Sequence, residues 1–398
     1  MVDAGRLTER LNEIAGLDRD DVLSLSLNTD PTLAEHQRPN PAYRVWAHDA
    51  IRRLQRRLPP GTAARVEPVA GRVLAHVDAM PREGRGLAVF AGSRLWQVYT
   101  VPFPLPNHLA YGLPDVVAML WAMHEYAPHG IVLASHDHAR LLVAYLGRTA
   151  VIDEIDLDLD TTRWQFKTGR VATSSRRAGV GVGRGIQAGA YEARVLAQYR
   201  RFWREVAGTA ARMLRTRGIN RIIMAGDQEA AAAVAAALPR LLREAVIGTV
   251  AVRPHASPAE IQDRALPVAL AHRHARDRRL VRTIAQERRP GGTGVDGAAA
   301  TLEALAAGRL GVVVASRDMH GATWACPRCG AIGRTPGACA ACGGDIRRLA
   351  LPQALPILTR RHGAALELVD ADAALPLAEG IGGALRRPVE AAALGVGA

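Results

Sequence analysis

The chain has 398 residues, 48% of them apolar, a net charge of +13 and an isoelectric point near 10.6. It is too long for one core, which points to two or three domains, and too apolar for a disordered chain. No uncharged apolar run approaches the roughly 18 residues of a membrane span, and the N-terminus is polar and periodic without the apolar core of a signal peptide. The surplus of arginine favours an acidic partner, nucleic acid foremost.

Taken in order, Leu7, Leu11 and Ile14 mark a short amphipathic helix, and Val22–Pro31 alternates as a strand ending in a turn. Ala42–Arg57 reads as a helix carrying Arg44, Arg52, Arg53, Arg56 and Arg57, stopped by Pro59 and Pro60. Gly86–Gly92 and Leu95–Phe103 form an expected hairpin, and the proline-rich Pro102–His108 is taken as the first domain boundary. Next come a helix over Leu113–Tyr126, two strands within Gly130–Gly147, and a third over Val151–Asp160. The acids of that third strand (Glu154, Asp156, Asp158 and Asp160 at period two, with Asp153 beside them) read as a solvated face. His136-Asp137-His138 reads as a polar hairpin tip in preference to a ligand cluster. Beyond a long helix over Ala190–Arg217 lie the strand Arg221–Gly226, an alanine-rich helix and the strand Ala245–Arg253. A third unit begins near Pro267 with a charged helix over Val268–Arg289, then a turn, a helix and a buried strand within Gly291–Ser316. A helix at Leu355–His362, a strand at Ala364–Asp370 and the ending Ala378–Val389 close the chain. The expected domains are 1–107, 108–267 and 268–398, in an α/β (α+β) architecture.

The four cysteines fall within seventeen residues, as Cys326-Pro-Arg-Cys329 and Cys339-Ala-Ala-Cys342. Two such knuckles, each followed by glycine (Gly330, Gly343), let four thiolates close a tetrahedral shell around Zn2+. With no fifth position the zinc would be structural, and its thiolates imply a reducing, cytoplasmic setting.

Residues 163–189 form a second distinctive stretch. No acid occurs between Asp160 and Glu192, while Arg163, Lys167, Arg170, Arg176, Arg177 and Arg184 fall there among six glycines. Such a loop lets backbone approach phosphates closely and cations release their counterions. Arg194, Arg200, Arg201 and Arg204 recur at near-helical spacing just beyond it, and Trp164 and Phe166 are placed to stack on bases or to anchor the loop.

In this order the pieces resemble the archaeo-eukaryotic class of peptide-chain release factors and Pelota, most nearly its bacterial branch with Vms-like and Balon-like relatives. The resemblance rests on VLSLSLNTDP, GLAVFAG and VPFPLPNH near the start; on GIVLASHDHARLLVAYLG and GRGIQAGAYEARVLAQYRRFWREVAGTA in the middle; and on GVDGAAATLEALAAGRLGVVVAS with the Gly380–Arg386 ending. It implies a ribonuclease-H-like middle domain and a C-terminal α/β/α sandwich with an inserted zinc ribbon. It also implies a ribosomal A-site ligand whose loop reaches the peptidyl-transferase centre, contacting ribosomal RNA and peptidyl-tRNA. A translational GTPase such as elongation factor Tu would deliver it, and it would be a monomer off the ribosome, with no membrane partner.

The family's GGQ tripeptide corresponds to Gly185-Ile186-Gln187, so Gln187 and Gly185 are the candidate catalytic residues for peptidyl-tRNA hydrolysis. Ile186 departs from the pattern, because a β-branched residue disfavours positive φ. The NIKS and YxCxxxF codon-reading motifs have no match in residues 1–107. Three readings therefore stand: a hydrolytic rescue factor, a non-enzymatic hibernation factor, and a general RNA-binding protein or ribonuclease.

Overall fold

The computed structural model describes residues 4–16, 19–81, 84–157 and 183–386. They form two units, Met1–Ala127 with Ala271–Ala398, and Pro128–Leu270.

In the first unit, α1 (Ala4–Ala15) precedes β1 (Val22–Asn28), α2 (Ala42–Arg57), α3 (Pro60–Ala79), β2 (Gly86–Gly92), β3 (Leu95–Val101), β4 (His108–Gly112) and α4 (Val117–Glu125). The strands pair antiparallel in the order β3-β2-β1-β4. Leu23, Leu25 and Leu27 of β1, with Leu87, Val89 and Ala91 of β2, send one face into Tyr43, Ala47 and Ile51 of α2 and Val66, Ala70, Val73 and Val77 of α3. Each such burial of a Leu, Ile or Val contributes roughly 1.5–3 kcal/mol.

The stop expected at Pro59 and Pro60 holds, since α2 ends at Arg57, but Pro60 also opens α3, a helix the sequence reading lacked, because proline costs nothing at a first helical position, whose N–H has no partner anyway. The spacing of Val66, Ala70, Val73 and Val77 was the overlooked signal. Strand β4, past the boundary expected at 107, pairs with β1, Leu25 facing Leu109.

The second unit holds β5 (His129–Ala134), β6 (His138–Tyr145), β7 (Arg148–Asp156), α5 (Gly183–Thr216), β8 (Ile222–Gly226), α6 (Gln228–Ala237), α7 (Arg240–Arg243), β9 (Val246–Val250) and the first part of α8 (Pro258–Gln286). Its sheet runs β7-β6-β5-β8-β9; β5 pairs antiparallel with β6 and parallel with β8, and β9 extends the parallel side. Strands buried on both faces read as continuous apolar runs. Val132, Leu141, Val143 and Met224 face α5 and α6, whereas Ile131, Leu133, Leu142 and Ile223 face Ile261 and Ala265 of α8.

The expected helix from 268 thus starts ten residues earlier, with Pro267 inside it. The burial of Ile261 and Ala265 holds that first part in place and offsets the hydrogen bond that Pro267 cannot make. The alanine-rich helix is divided between α6 and α7 at Leu238-Pro239, since the residue before proline avoids helical backbone.

The remainder of the first unit contains β10 (Gly294–Asp296), α9 (Ala298–Ala306), β11 (Leu310–Ser316), β12 (Ala322–Ala325), β13 (Ile332–Gly333), β14 (Gly337–Ala338), β15 (Asp345–Ala350), α10 (Leu351–Arg361), β16 (Ala365–Val369), α11 (Ala371–Ala374) and β17 (Ile381–Leu385). The order β10-β17-β11-β16 makes a mixed sheet, packed on Val281 and Ile284 of α8. Glycines of the chain ending are a packing requirement: a Cβ on Gly382 would meet Val295 O at 2.7 Å and one on Gly383 would meet Val312 O at 2.9 Å. Arg386 then ties the sheet end together, donating from Nε to Leu310 O at 2.9 Å and from Nη2 to Gly363 O at 2.7 Å. Among the described residues no helix is long and apolar enough to cross a membrane.

Candidate functional site

Helix α5 carries the middle segment's candidate residues. Phe202, Trp203, Val206, Ala207, Ala210, Met213 and Leu214 recur at three- and four-residue intervals and bury one face against the sheet. The opposite face follows from the same period. Arg201 and Arg204, expected from the sequence, are exposed, and so are Arg212 and Arg215, which the sequence reading did not single out. At 100° per residue these four fall within about 80° of arc and rise about 21 Å along the axis. The steps of three, eight and three residues were a legible signal. Arg200 is exposed beside this row.

The helix begins at Gly183, so Arg184, Gly185, Ile186, Gln187 and Arg194 belong to it. This corrects the expectation that the glycine-rich loop extends to Gly189. Glycine weakens a helix by about 1 kcal/mol relative to alanine, which the strongly packed turns further along can carry. The first turn leaves backbone N–H groups without intrahelical acceptors, and the helix dipole adds partial positive charge there. Arg163, Lys167, Arg170, Arg176 and Arg177, with Trp164 and Phe166, lie outside the described residues.

The tip between β5 and β6 is a hydrogen-bonded turn. His138 N–H donates to Ser135 Oγ at 3.1 Å, and the Ser135 hydroxyl lies 3.0 Å from Asp137 Oδ1 and 2.9 Å from His138 O. His138 Nδ1 sits 2.6 Å from Asp156 Oδ1. His136 and Asp137 therefore form the tip and His138 opens β6, in line with the polar-tip reading. Asp153, Glu154 and Asp156 are exposed on β7, again as expected, and Arg140 Nε reaches Glu154 at 3.2 Å. Asp158 and Asp160 lie outside the described residues. Above the carboxyl ends of parallel β5, β8 and β9, an open cleft is lined by Ser135, His136, Tyr199, Asp227 and Arg253. Asp227 already caps α6, accepting from the N–H groups of Glu229 and Ala230.

The four cysteines converge. Cys326 Sγ is 3.6 Å from Cys342 Sγ, and Cys329 Sγ is 3.5 Å from Cys339 Sγ. All four sulfurs lie within 4.8 Å of one another. Sulfurs bound tetrahedrally at about 2.3 Å from one zinc would stand about 3.8 Å apart, so the donor set fits such an ion. The positive φ angles at Gly330 (+73°) and Gly343 (+71°) close the knuckles, whose N–H groups donate to Cys326 O and Cys339 O at 2.8 Å. The short strands β12–β15 frame the cluster: β12 pairs antiparallel with both β13 and β15, and β14 pairs with β15.

Residues 114–270 match the family model of bacterial archaeo-eukaryotic release factor family 10. No curated protein sequence matches the chain. Among solved structures, an archaeal translation termination factor, aRF1, is similar over 96% of this chain and 97% of its own at 15% identity, with a TM-score of 0.26. Dom34 of S. cerevisiae, a translation termination-like factor interacting with Hbs1, is similar over 79% and 77% at 9% identity, TM-score 0.40. An archaeal Pelota, described as ribosome-bound together with ABCE1, is similar over 96% and 94% at 10% identity, TM-score 0.38. All three scores fall below 0.5, and the family match covers residues 114–270 alone.

Proposed function

We propose that the chain, whose residues 114–270 match the family model of bacterial archaeo-eukaryotic release factor family 10, is a ribosome-binding translation factor of that group that occupies the A site. In this reading the segment 163–182 and the start of α5 enter the peptidyl-transferase centre. The observation that carries the proposal is the exposed arginine row Arg201, Arg204, Arg212 and Arg215, continuous along one helix with Gly185-Ile186-Gln187 at its start. A cationic rod about 20 Å long with a phosphate-seeking N-terminus suits a path along RNA.

Two outcomes at the centre follow from the same segment. In the hydrolytic reading, the Gln187 amide orients a water onto the ester carbonyl of peptidyl-tRNA. The ester C–O bond breaks, the peptide leaves as an acid and the tRNA regains its 3′ hydroxyl. In the blocking reading, the same segment fills the centre without reaction, and the protein acts in hibernation or non-enzymatic rescue. Ile186 in helical backbone favours the second, because a branched Cβ keeps the chain from the close approach that glycine permits. A translational GTPase such as elongation factor Tu would deliver the factor.

The four cysteines would hold a structural Zn2+ in both readings. That ion would stabilise the β12–β15 ribbon and take no part in the reaction at the centre.

The test is sedimentation of the protein with vacant and with stalled ribosomes, paired with peptide release from stalled complexes by the unaltered chain and by Gln187→Ala. Binding with release lost in the variant supports hydrolysis. Binding without release by either supports blocking, and equal affinity for ribosomes and naked RNA overturns both.

A further inference from the structure

A second set of metal-ligating groups lies in the unit built from the two ends of the chain. Glu125 closes α4, His274 lies on α8 and Asp370 directly follows β16. Their donor atoms all lie within 4.8 Å of one another. His274 Nε2 is 2.6 Å from Glu125 Oε1 and 3.6 Å from Asp370 Oδ2, so two carboxylates converge on one imidazole nitrogen. The Glu125 side chain is 8% exposed, and its compensating partner is His274 Nε2, in a hydrogen bond to Oε1 that a bound cation would replace. Asp370 Oδ1 is buried without a hydrogen bond; Arg317 Nη1 approaches it to 3.3 Å outside bonding geometry.

The neighbouring cations are largely committed elsewhere. Arg273 Nε pairs with Asp277 at 2.9 Å, and Arg276 Nη2 pairs with Glu367 at 2.9 Å. Arg317 lies over the Trp121 ring at 4.4 Å and stands 3.7 Å from Asp318. Glu125, by contrast, has no guanidinium partner among the described residues and meets only His274. Burial, and then the charges of Glu367 and Glu125, hold the Asp277 carboxyl up at about 6 despite Arg273 and Arg276.

We propose that Glu125, His274 and Asp370 bind a divalent transition-metal ion of the zinc class, through one neutral imidazole nitrogen and two carboxylates. This ligand set suits zinc, for which imidazole nitrogen and carboxylate oxygen sit at about 2.0–2.2 Å, and an adjustment of about 1 Å brings all three donors to that range. His274 and Asp370 are 36% and 31% exposed, which leaves water access for a fourth ligand. Glu125 stands two residues before the crossing at Ala127/Pro128, and His274 four residues after Leu270, where the chain returns. The ion would therefore tie α4 to α8 beside both points at which the chain passes between the units.

The experiment is metal analysis of the full-length protein, saturated with Zn2+ and then gel-filtered, for the unaltered chain, His274→Ala and Asp370→Asn. A difference of one zinc equivalent between the unaltered chain and each variant is the expected result, whatever the cysteine cluster holds. Equal zinc content in all three overturns the proposal. Co2+ loading supplies an independent readout. The second equivalent should add only weak visible bands, without thiolate charge-transfer absorption, and His274→Ala should lose those bands alone. Loss of the thiolate absorption in their place would assign the extra ion to the cysteines and overturn the proposal. Far-UV circular dichroism checks that the variants are folded, and Asp370→Asn, at a partly exposed position, decides if His274→Ala is not. None of these readouts involves ribosomes, so the outcome is separate from that of the A-site reading.

Discussion

Cys326 Sγ and Cys342 Sγ stand 3.6 Å apart although they lie sixteen positions apart in sequence, and the backbone bridging them turns back through positive-φ Gly330 and Gly337. If the four thiolates hold a Zn2+, as proposed, the order of the ribbon depends on that ion. Chelation, or Cys326→Ser, should release one zinc equivalent and expose residues 322–350 to protease while the rest of the chain stays folded. Metal analysis with limited proteolysis checks this, and an unchanged digestion pattern would count against it.

Gly344 lies against the same cluster. A Cβ there would sit 3.3 Å from Cys326 Sγ and 3.4 Å from Cys342 Sγ. Gly344→Val should crowd both sulfurs and lower zinc affinity by an order of magnitude or more, read by competition with a chromogenic chelator. Gly344→Ala should have the smaller effect.

Gly226 joins β8 to the cap of α6 at φ +103°, and a Cβ on it would meet Ala134 O at 2.3 Å. Gly226→Ala should cost roughly 1–3 kcal/mol or more through combined strain and clash, lowering Tm by several degrees. Gly218, also at positive φ (+62°) but with open space around it, should tolerate alanine better.

Replacing Arg201, Arg204, Arg212 and Arg215 together by glutamine should weaken ribosome binding at every sequence context. The slope of log affinity against log salt should fall in magnitude by roughly three, since each phosphate contact contributes about 0.7–0.9. All four side chains are exposed, so thermal stability should change little. An unchanged slope would remove this face from the interface.

Stability should fall on acidification through two groups. Burial holds His124 down at about 4, so it stays neutral in the fold while an unfolded histidine takes up a proton near 6.5. Its contribution is complete above pH 6.5 and is lost as pH falls towards 4, on the order of 2–3 kcal/mol. Burial alone would raise Glu367, but the hydrogen bond from Arg276 and the charges of His124, Arg273 and Arg276 take it down to about 2. Its share is present above about pH 4.5 and is lost as pH falls towards 2. Denaturant midpoints measured from pH 7 to 4 should decline, and His124→Gln should flatten the upper part of that decline.

Local pattern determined much of this protein directly. The helix over Ala42–Arg57 and the hairpin from Gly86 follow from periods of 3.6 and 2, which depend only on residues a few positions apart. The cysteine knuckles are equally local, because each half of the cluster is one turn of chain. Tertiary packing decided the remainder. Pro267 reads as a break, yet the core it serves carries helix past it, and Pro60, before which α2 has stopped, opens a further helix. Gly183 to Gly189 reads as loop, yet it prolongs a helix whose later turns are buried. Glu125, His274 and Asp370 come from three elements, with 148 residues between the first two, and no spacing rule links them. The physical reason is the same in each case: periodicity records which face a residue turns inward, whereas what it meets there is set by chain segments that only folding brings together.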